Sequence, residues 1–112
     1  VNIRTALDEW IAAKGYVRPG LSLESLAREV GCNRSYLSRY VNSELGLNFK
    51  SWIRALRIAE SQRLLLEHPG ASALEVGEMV GIHGRSTFFA QFSEVTGMSP
   101  GEYRRRHAKP GA

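Results

Sequence analysis

Cysteine is nearly absent: Cys32 is the only one in 112 residues, so no internal disulfide can form. That usage fits a reducing compartment, and a cytoplasmic location is expected. Long apolar runs are missing too. None approaches the ~18 residues of a membrane span, and no basic region followed by an apolar block opens the chain. Contact of this module with a membrane is therefore not expected. Histidine is sparse, and His68, His83 and His107 stand too far apart for metal-ligand spacing. That argues against a zinc site. No Ser/His/Asp set, Cys/His pair or Gly-rich phosphate loop is present, so neither an enzyme nor a cofactor is expected. Alternation of β-branched residues is also lacking, which argues against strands. The chain begins at Val1 rather than Met, as a fragment of something longer would.

What remains is an ordinary globular composition, 43% hydrophobic and 23% charged. Acidic residues are the minority, 11 against 15 lysines and arginines, for a net charge of +4. A polyanionic partner suits that balance, but many non-binding domains share it.

Helix signals recur along the whole chain. Ile3, Leu7, Trp10 and Ile11 share one face of a first helix that ends near Gly15. Pro19-Gly20 marks a loop. Ser22 caps a short helix to Val30, stopped by Gly31. Asn33 caps the next, which runs to Leu45 and ends at Gly46. Asn48 opens a long helix from Phe49 to Glu67, with Phe49, Trp52, Ile53 and Leu56 as its buried stripe and Pro69-Gly70 beyond it. At ~1.5 Å per residue it is roughly 30 Å long. Ser72 and Glu75 form a capping box for a short helix stopped at Gly81. Another runs from Arg85 to Thr96, and Ser99-Pro100-Gly101-Glu102 reads as a further capping box before a last helix ending in Arg104-Arg105-Arg106. The tail from Ala108 is expected to fray. The fold class is all-α, with about seven helices.

The second half repeats the first. Leu26, Ala27, Val30 and Gly31 match Val76, Gly77, Val80 and Gly81 at an offset of fifty. One extra residue enters the turn, and Ser35, Leu37, Val41, Gly46 and Trp52 then match Ser86, Phe88, Phe92, Gly97 and Tyr103 at fifty-one. A small residue four positions before a glycine lets two short helices cross closely at a tight turn, which is helix-turn-helix geometry. A generic helical hairpin could produce one such match. Two, with matching second-helix cores, point to two tandem helix-turn-helix subdomains, residues 1–47 and 69–108, joined by a linker helix at 48–68, with 109–112 as tail.

The helix from Asn33 to Leu45 turns Tyr36, Leu37, Tyr40, Val41 and Leu45 toward the core. Its other face carries Ser35, Ser38, Arg39 and Asn42, with Arg34 at the N-terminal end. Short polar donors and arginines suit base edges in the major groove. The matching face of the second unit is Ser86, Phe89, Ala90 and Ser93, preceded by Arg85. Phe89 could meet a thymine methyl or pack at the edge of the core. Residues 23–46 are neutral overall, whereas residues 73–97 set Arg85 against Glu75, Glu78 and Glu94, for a net of −2. The positive balance comes largely from Lys50, Arg54, Arg57 and Arg63 on the long helix and from Arg104, Arg105, Arg106 and Lys109. Arg57 or Arg63 could instead pair with Glu60 and Glu67.

The second unit resembles the signature of the AraC/XylS family: Gly77, Gly81, Ile82, Phe88, Phe92, Gly97, Pro100, Tyr103 and Arg104 stand where that family has its small residue, turn pair, two phenylalanines and Gly-x-x-Pro-x-x-Tyr-Arg. The long helix, with Arg57-Ile58 and Leu64-Leu65, is similar to the family's linker, and the run Asn33–Tyr40 to its C-terminal DNA-binding modules. The resemblance covers about residues 3–107. It implies recognition helices in successive major grooves, about one duplex turn or ~34 Å apart. It also implies base contacts from Ser35, Ser38 and Arg39 and from Arg85, Ser86, Phe89 and Ala90. The departures lie in the second unit, where Gly77 replaces the usual alanine and Ile82 the usual phenylalanine, while Ala90 and Ser93 replace polar or basic residues.

The expected function is sequence-specific binding of promoter or operator DNA, as the C-terminal module of a bacterial transcription regulator. An effector or sensor domain upstream of Val1 is the expected companion, with RNA polymerase a further candidate partner. Two alternatives stay open: a module that delivers a fused repair enzyme to DNA, and a protein-interaction module whose DNA binding has decayed.

Overall fold

The computed structural model describes residues 2–108. The 109–112 tail and the charge of Lys109 lie outside the described residues. Among those described there are seven α-helices, one 3-10 turn and no strand. The helices are α1 (Ile3–Ala12), α2 (Leu23–Val30), α3 (Arg34–Leu45), α4 (Phe49–Glu67), α5 (Ala73–Met79), α6 (Arg85–Thr96) and α7 (Pro100–His107). The chain divides into two compact units, Val1–Arg54 and Ala55–Ala112.

In the first unit, the Asn2 side chain caps α1 and Ser22 caps α2, the latter in a reciprocal box with Ser25. Helix α1 stops at Ala12, short of Gly15, because Lys14 is left-handed and Gly15–Val17 form a 3-10 turn. That turn is pressed onto Trp10: a Cβ on Gly15 would lie 2.1 Å from the indole Nε1. Trp10 anchors the core, 5.7 Å from the ring of Trp52 and edge-on to Tyr16. Ile3, Leu7, Leu26, Leu37, Val41 and Ile53 complete it. On α4, Trp52 and Ile53 are buried as expected, whereas Phe49 and Leu56 are only half-buried.

Two positions on α3 differ from expectation. Tyr36 is 45% exposed and Leu45 40% exposed, leaving Leu37 and Val41 as the buried pair. At 100° per residue, Tyr36 sits about 120° from the middle of the Leu37/Val41 stripe, outside the core arc. Leu45 falls inside that arc, but it is the last residue of the helix.

The second unit is built on an aromatic series. Phe88 packs edge-on against Phe92 and Phe92 against Tyr103, each at 5.7 Å, and Tyr103 stacks on His107 at 4.2 Å. Ile58, Leu65, Val76, Val80 and Ile82 are buried in the same unit as the two phenylalanines. Ser72 and Glu75 form the expected reciprocal box at the start of α5. Ser99 accepts from the Glu102 N–H at 3.1 Å, but Glu102 does not return the bond; its carboxylate pairs with Arg106 at 3.2 Å. Ser99 is therefore a simple N-cap rather than half of a box.

Candidate nucleic-acid interface

Both units contain the same turn. In the first, Gly31 adopts φ 82° and the Cys32 N–H donates to the carbonyl of Ala27 at 2.9 Å. In the second, Gly81 adopts φ 86° and the Ile82 N–H donates to the carbonyl of Gly77, also at 2.9 Å. Each turn thus folds back on the small residue picked out by the sequence repeat, closing the helix end with a positive-φ glycine. Cys32 sits half-buried in the first turn, and burial pushes its thiol up from the ordinary value, away from reactivity.

The turns differ in how they start the following helix. Asn33 caps α3, its side chain accepting from the Tyr36 N–H at 2.8 Å. Such a cap contributes roughly 1 kcal/mol. The extra residue of the second turn places Gly84 at the equivalent position, at φ 89° and with no side-chain cap. Instead, Glu78 reaches over from α5. Its carboxylate accepts from His83 Nδ1 at 2.7 Å and meets the Gly84 N–H at 3.4 Å. These bonds, His83 first, hold the Glu78 carboxyl below its ordinary value.

Helix α3 presents Arg34, Ser35, Arg39 and Asn42 as exposed residues, with Ser38 half-buried among them. Arg34 pairs with Glu24 at 3.5 Å between two exposed side chains, which is worth little in water. The Asn42 amide donates to the carbonyl of Ser38 at 2.8 Å, and the Ser43 hydroxyl to that of Arg39 at 2.7 Å. The Arg39 guanidinium itself has no partner among the described residues, so binding a guanine edge would require no internal bond to break. Tyr36, assigned to the core from sequence, is exposed at the flank of the helix. Its departure from the Leu37/Val41 stripe is the signal that could have placed it.

Helix α6 presents Arg85, Ser86 and Ala90 as exposed residues, while Phe89 is half-buried. Phe89 packs edge-on to Phe88 at 6.2 Å, and the Arg85 guanidinium lies 4.3 Å above its ring. The one arginine of this face is therefore stacked on its one aromatic, a cation–π arrangement. Of the two fates open to Phe89 in the sequence, packing at the edge of the core is the one seen within the chain, with Arg85 stacked on the ring.

Several basic residues counted toward a positive surface are engaged internally. Arg63 binds Glu60 at 2.7 Å and also Glu67, and these carboxylates raise its already high pKa further. Arg104 donates from Nε to the Leu65 carbonyl at 3.0 Å and from Nη2 to the His68 carbonyl at 2.9 Å, tying α7 to the end of α4. Its place in the sequence signature thus corresponds to a structural clamp. Arg57 is partly buried, which lowers its pKa, and both Arg54 and Arg57 are engaged. Arg39, Lys50 and Arg105 are exposed.

Comparison with known proteins agrees with this geometry. A family model described as a helix-turn-helix domain matches residues 26–106. The melibiose operon regulatory protein of Escherichia coli K12 is 31% identical over 96 residues, covering 81% of this chain and 32% of its own length. The chain spans about a third of that regulator's length, and between 11% and 36% of the length of other curated relatives. Among solved structures, the C-terminal domain of AraT, a response regulator from Geobacillus stearothermophilus, superposes with a TM-score of 0.84 at 29% identity, over 97% of this chain and 88% of that one. The DNA-binding domain of AdpA, solved with a target DNA, has a TM-score of 0.78 at 22% identity, over 98% and 97% of the two chains, a likeness of fold. Two tandem helix-turn-helix units, the shared signature and these matches lead to one conclusion: the chain belongs to the AraC/XylS family of helix-turn-helix domains.

Proposed function

We propose that this chain is the DNA-reading module of a bacterial transcription regulator, with α3 and α6 as its recognition helices. The observation that carries this reading is the open face of α3. Arg34, Ser35, Ser38, Arg39 and Asn42 line it, and the Arg39 guanidinium has no competing partner among the described residues. Arg39 is suited to a bidentate bond with guanine, and the short polar side chains to adjacent base edges. The exposed Tyr36 phenol, at the flank of this face, is suited to donate to a phosphate. On α6, Arg85, Ser86, Phe89 and Ala90 are the corresponding contacts, poorer in hydrogen-bonding groups. The similar AdpA domain, whose structure includes a target DNA, supports double-stranded DNA as the ligand.

In this reading residues 1–47 and 69–108 are the two reading subdomains and 48–68 the linker helix. The module is a binder rather than an enzyme and works in the cytoplasm. In a parent of the relatives' length, the remaining chain would hold an effector or sensor domain, with RNA polymerase a candidate partner at the promoter. Selecting bound sites from random duplex DNA tests the function, followed by gel shifts at several salt concentrations. The expected result is an enriched consensus whose affinity falls steeply as salt rises. Enrichment of no sequence would overturn the assignment.

A further inference from the structure

The start of α6 differs from the start of α3 in one respect that its glycine explains. An N-cap side chain works from extended backbone with negative φ, the conformation Asn33 adopts at φ −90° and ψ 161°. Gly84, at φ 89° and ψ 135°, lies where L side chains are strained, so no cap can be supplied from that position. An acceptor from the preceding helix instead holds the N–H of Gly84 itself. Glu78 stands on α5, five residues before His83, and its two oxygens meet His83 Nδ1 at 2.7 Å and the Gly84 N–H at 3.4 Å. The imidazole bond is short and the backbone contact long, so His83 anchors the carboxylate and the carboxylate in turn braces the turn. The acidity of the second unit is then partly a structural device. Glu75 likewise serves as a cap, accepting from the Ser72 N–H at 3.0 Å.

We propose that Glu78 is a positioning residue for the second recognition helix: held by His83, its carboxylate fixes the backbone at the uncapped Gly84 and sets how Arg85 and Ser86 meet the DNA. This rests on the reading that the chain binds duplex DNA through both units. Glu78 touches no base in this proposal and acts through the turn. Both side chains of the pair are largely exposed, Glu78 at 46% and His83 at 65%. The pair therefore adds little to global stability, and its removal is expected to show in recognition before it shows in melting.

The test compares the full chain with Glu78→Ala and Glu78→Gln in a scan of every base pair across a selected site. Both variants remove the negative charge, so any general gain in affinity is common to them. Only Gln can still accept from the Gly84 N–H through its carbonyl oxygen, while its amide NH2 donates to His83 Nδ1 in the other imidazole tautomer. In Glu78→Ala, discrimination under α6 is expected to fall roughly two- to fivefold, the range over which an exposed ion pair shifts an equilibrium. Discrimination under α3 and the melting temperature should stay put. Glu78→Gln should recover most of the loss. Unchanged discrimination in Glu78→Ala would overturn the proposal. So would an equal loss under both helices with a lowered melting temperature, which marks a role in stability alone, or a parent that discriminates no base under α6. A chain that selects no sequence at all would instead remove the DNA reading beneath it.

Discussion

Gly77 and Phe88 are fitted to each other: a Cβ at residue 77 would lie 2.9 Å from Cγ of the Phe88 ring and 3.1 Å from its Cβ. The first unit places Ala27 and Leu37 at the equivalent positions. The second unit has thus exchanged a medium-sized pair for a small and a large residue. Read from sequence alone, Gly77 is simply a poorer helix former than the alanine usual in the family. In the structure it makes room for one of the two largest fully buried side chains of its unit.

That relationship predicts a result opposite to helix propensity. Gly77→Ala should gain ~1 kcal/mol of intrinsic propensity. Overpacking against the root of the Phe88 side chain, which cannot swing away, should cost ~1–3 kcal/mol. Net destabilisation is expected in denaturant unfolding. Gly77→Ala combined with Phe88→Leu should be less unstable than the sum of the two single changes. A Gly77→Ala variant more stable than the parent would show that the two helices can separate at no cost.

Trp52 lies against Trp10 with ring centroids 5.7 Å apart, and both are buried. Trp52→Ala should cost ~3–5 kcal/mol. In a domain whose total stability is of order ~5–15 kcal/mol, much of the folded population is at risk. Circular dichroism melts read this directly. A melting point within a few degrees of the parent would contradict the packing described.

Arg104 closes the end of α4 through two backbone carbonyls. Arg104→Ala should lower stability by ~1–3 kcal/mol, as expected when hydrogen bonds to a charged donor are lost. Arg104→Lys should rescue only part, because an ammonium lacks the fork that spans both acceptors. If Arg104 serves chiefly to bind phosphate, the outcome reverses: stability holds in both variants and DNA affinity falls.

Arg39→Ala should cost ~1–3 kcal/mol on the best site and relax preference at one base position. Competition gel shifts against a set of single-base variants measure both quantities. Unchanged affinity with unchanged preference would remove Arg39 from the reading face.

The two units are expected to read unequally. Phosphate contacts by basic side chains set affinity and its salt dependence. The face of α6 offers only Arg85, already stacked on Phe89. A base-pair scan should therefore show strong discrimination in one half-site and a weakly discriminated stretch about one turn (~34 Å) away. Equal discrimination in both halves, or stronger discrimination under α6, would contradict it.

Local chemistry made most of the architecture legible in the sequence. Ser22, Asn33 and Ser72 cap the helices they announce, Gly31 ends α2 and Gly81 follows the Val80 cap of α5, because capping and positive φ are decided within a few residues. The repeat was legible for the same reason: two copies of one turn need the same small residues at the same spacing. Contacts between elements were not legible. That Arg104 clamps α4, that Gly77 fits Phe88 and that Glu78 braces the start of α6 all depend on which surfaces meet after folding. A residue's own neighbours specify its helix. Its partner across a packed interface is chosen by shape and by unmet hydrogen bonds, which exist only once the helices have come together.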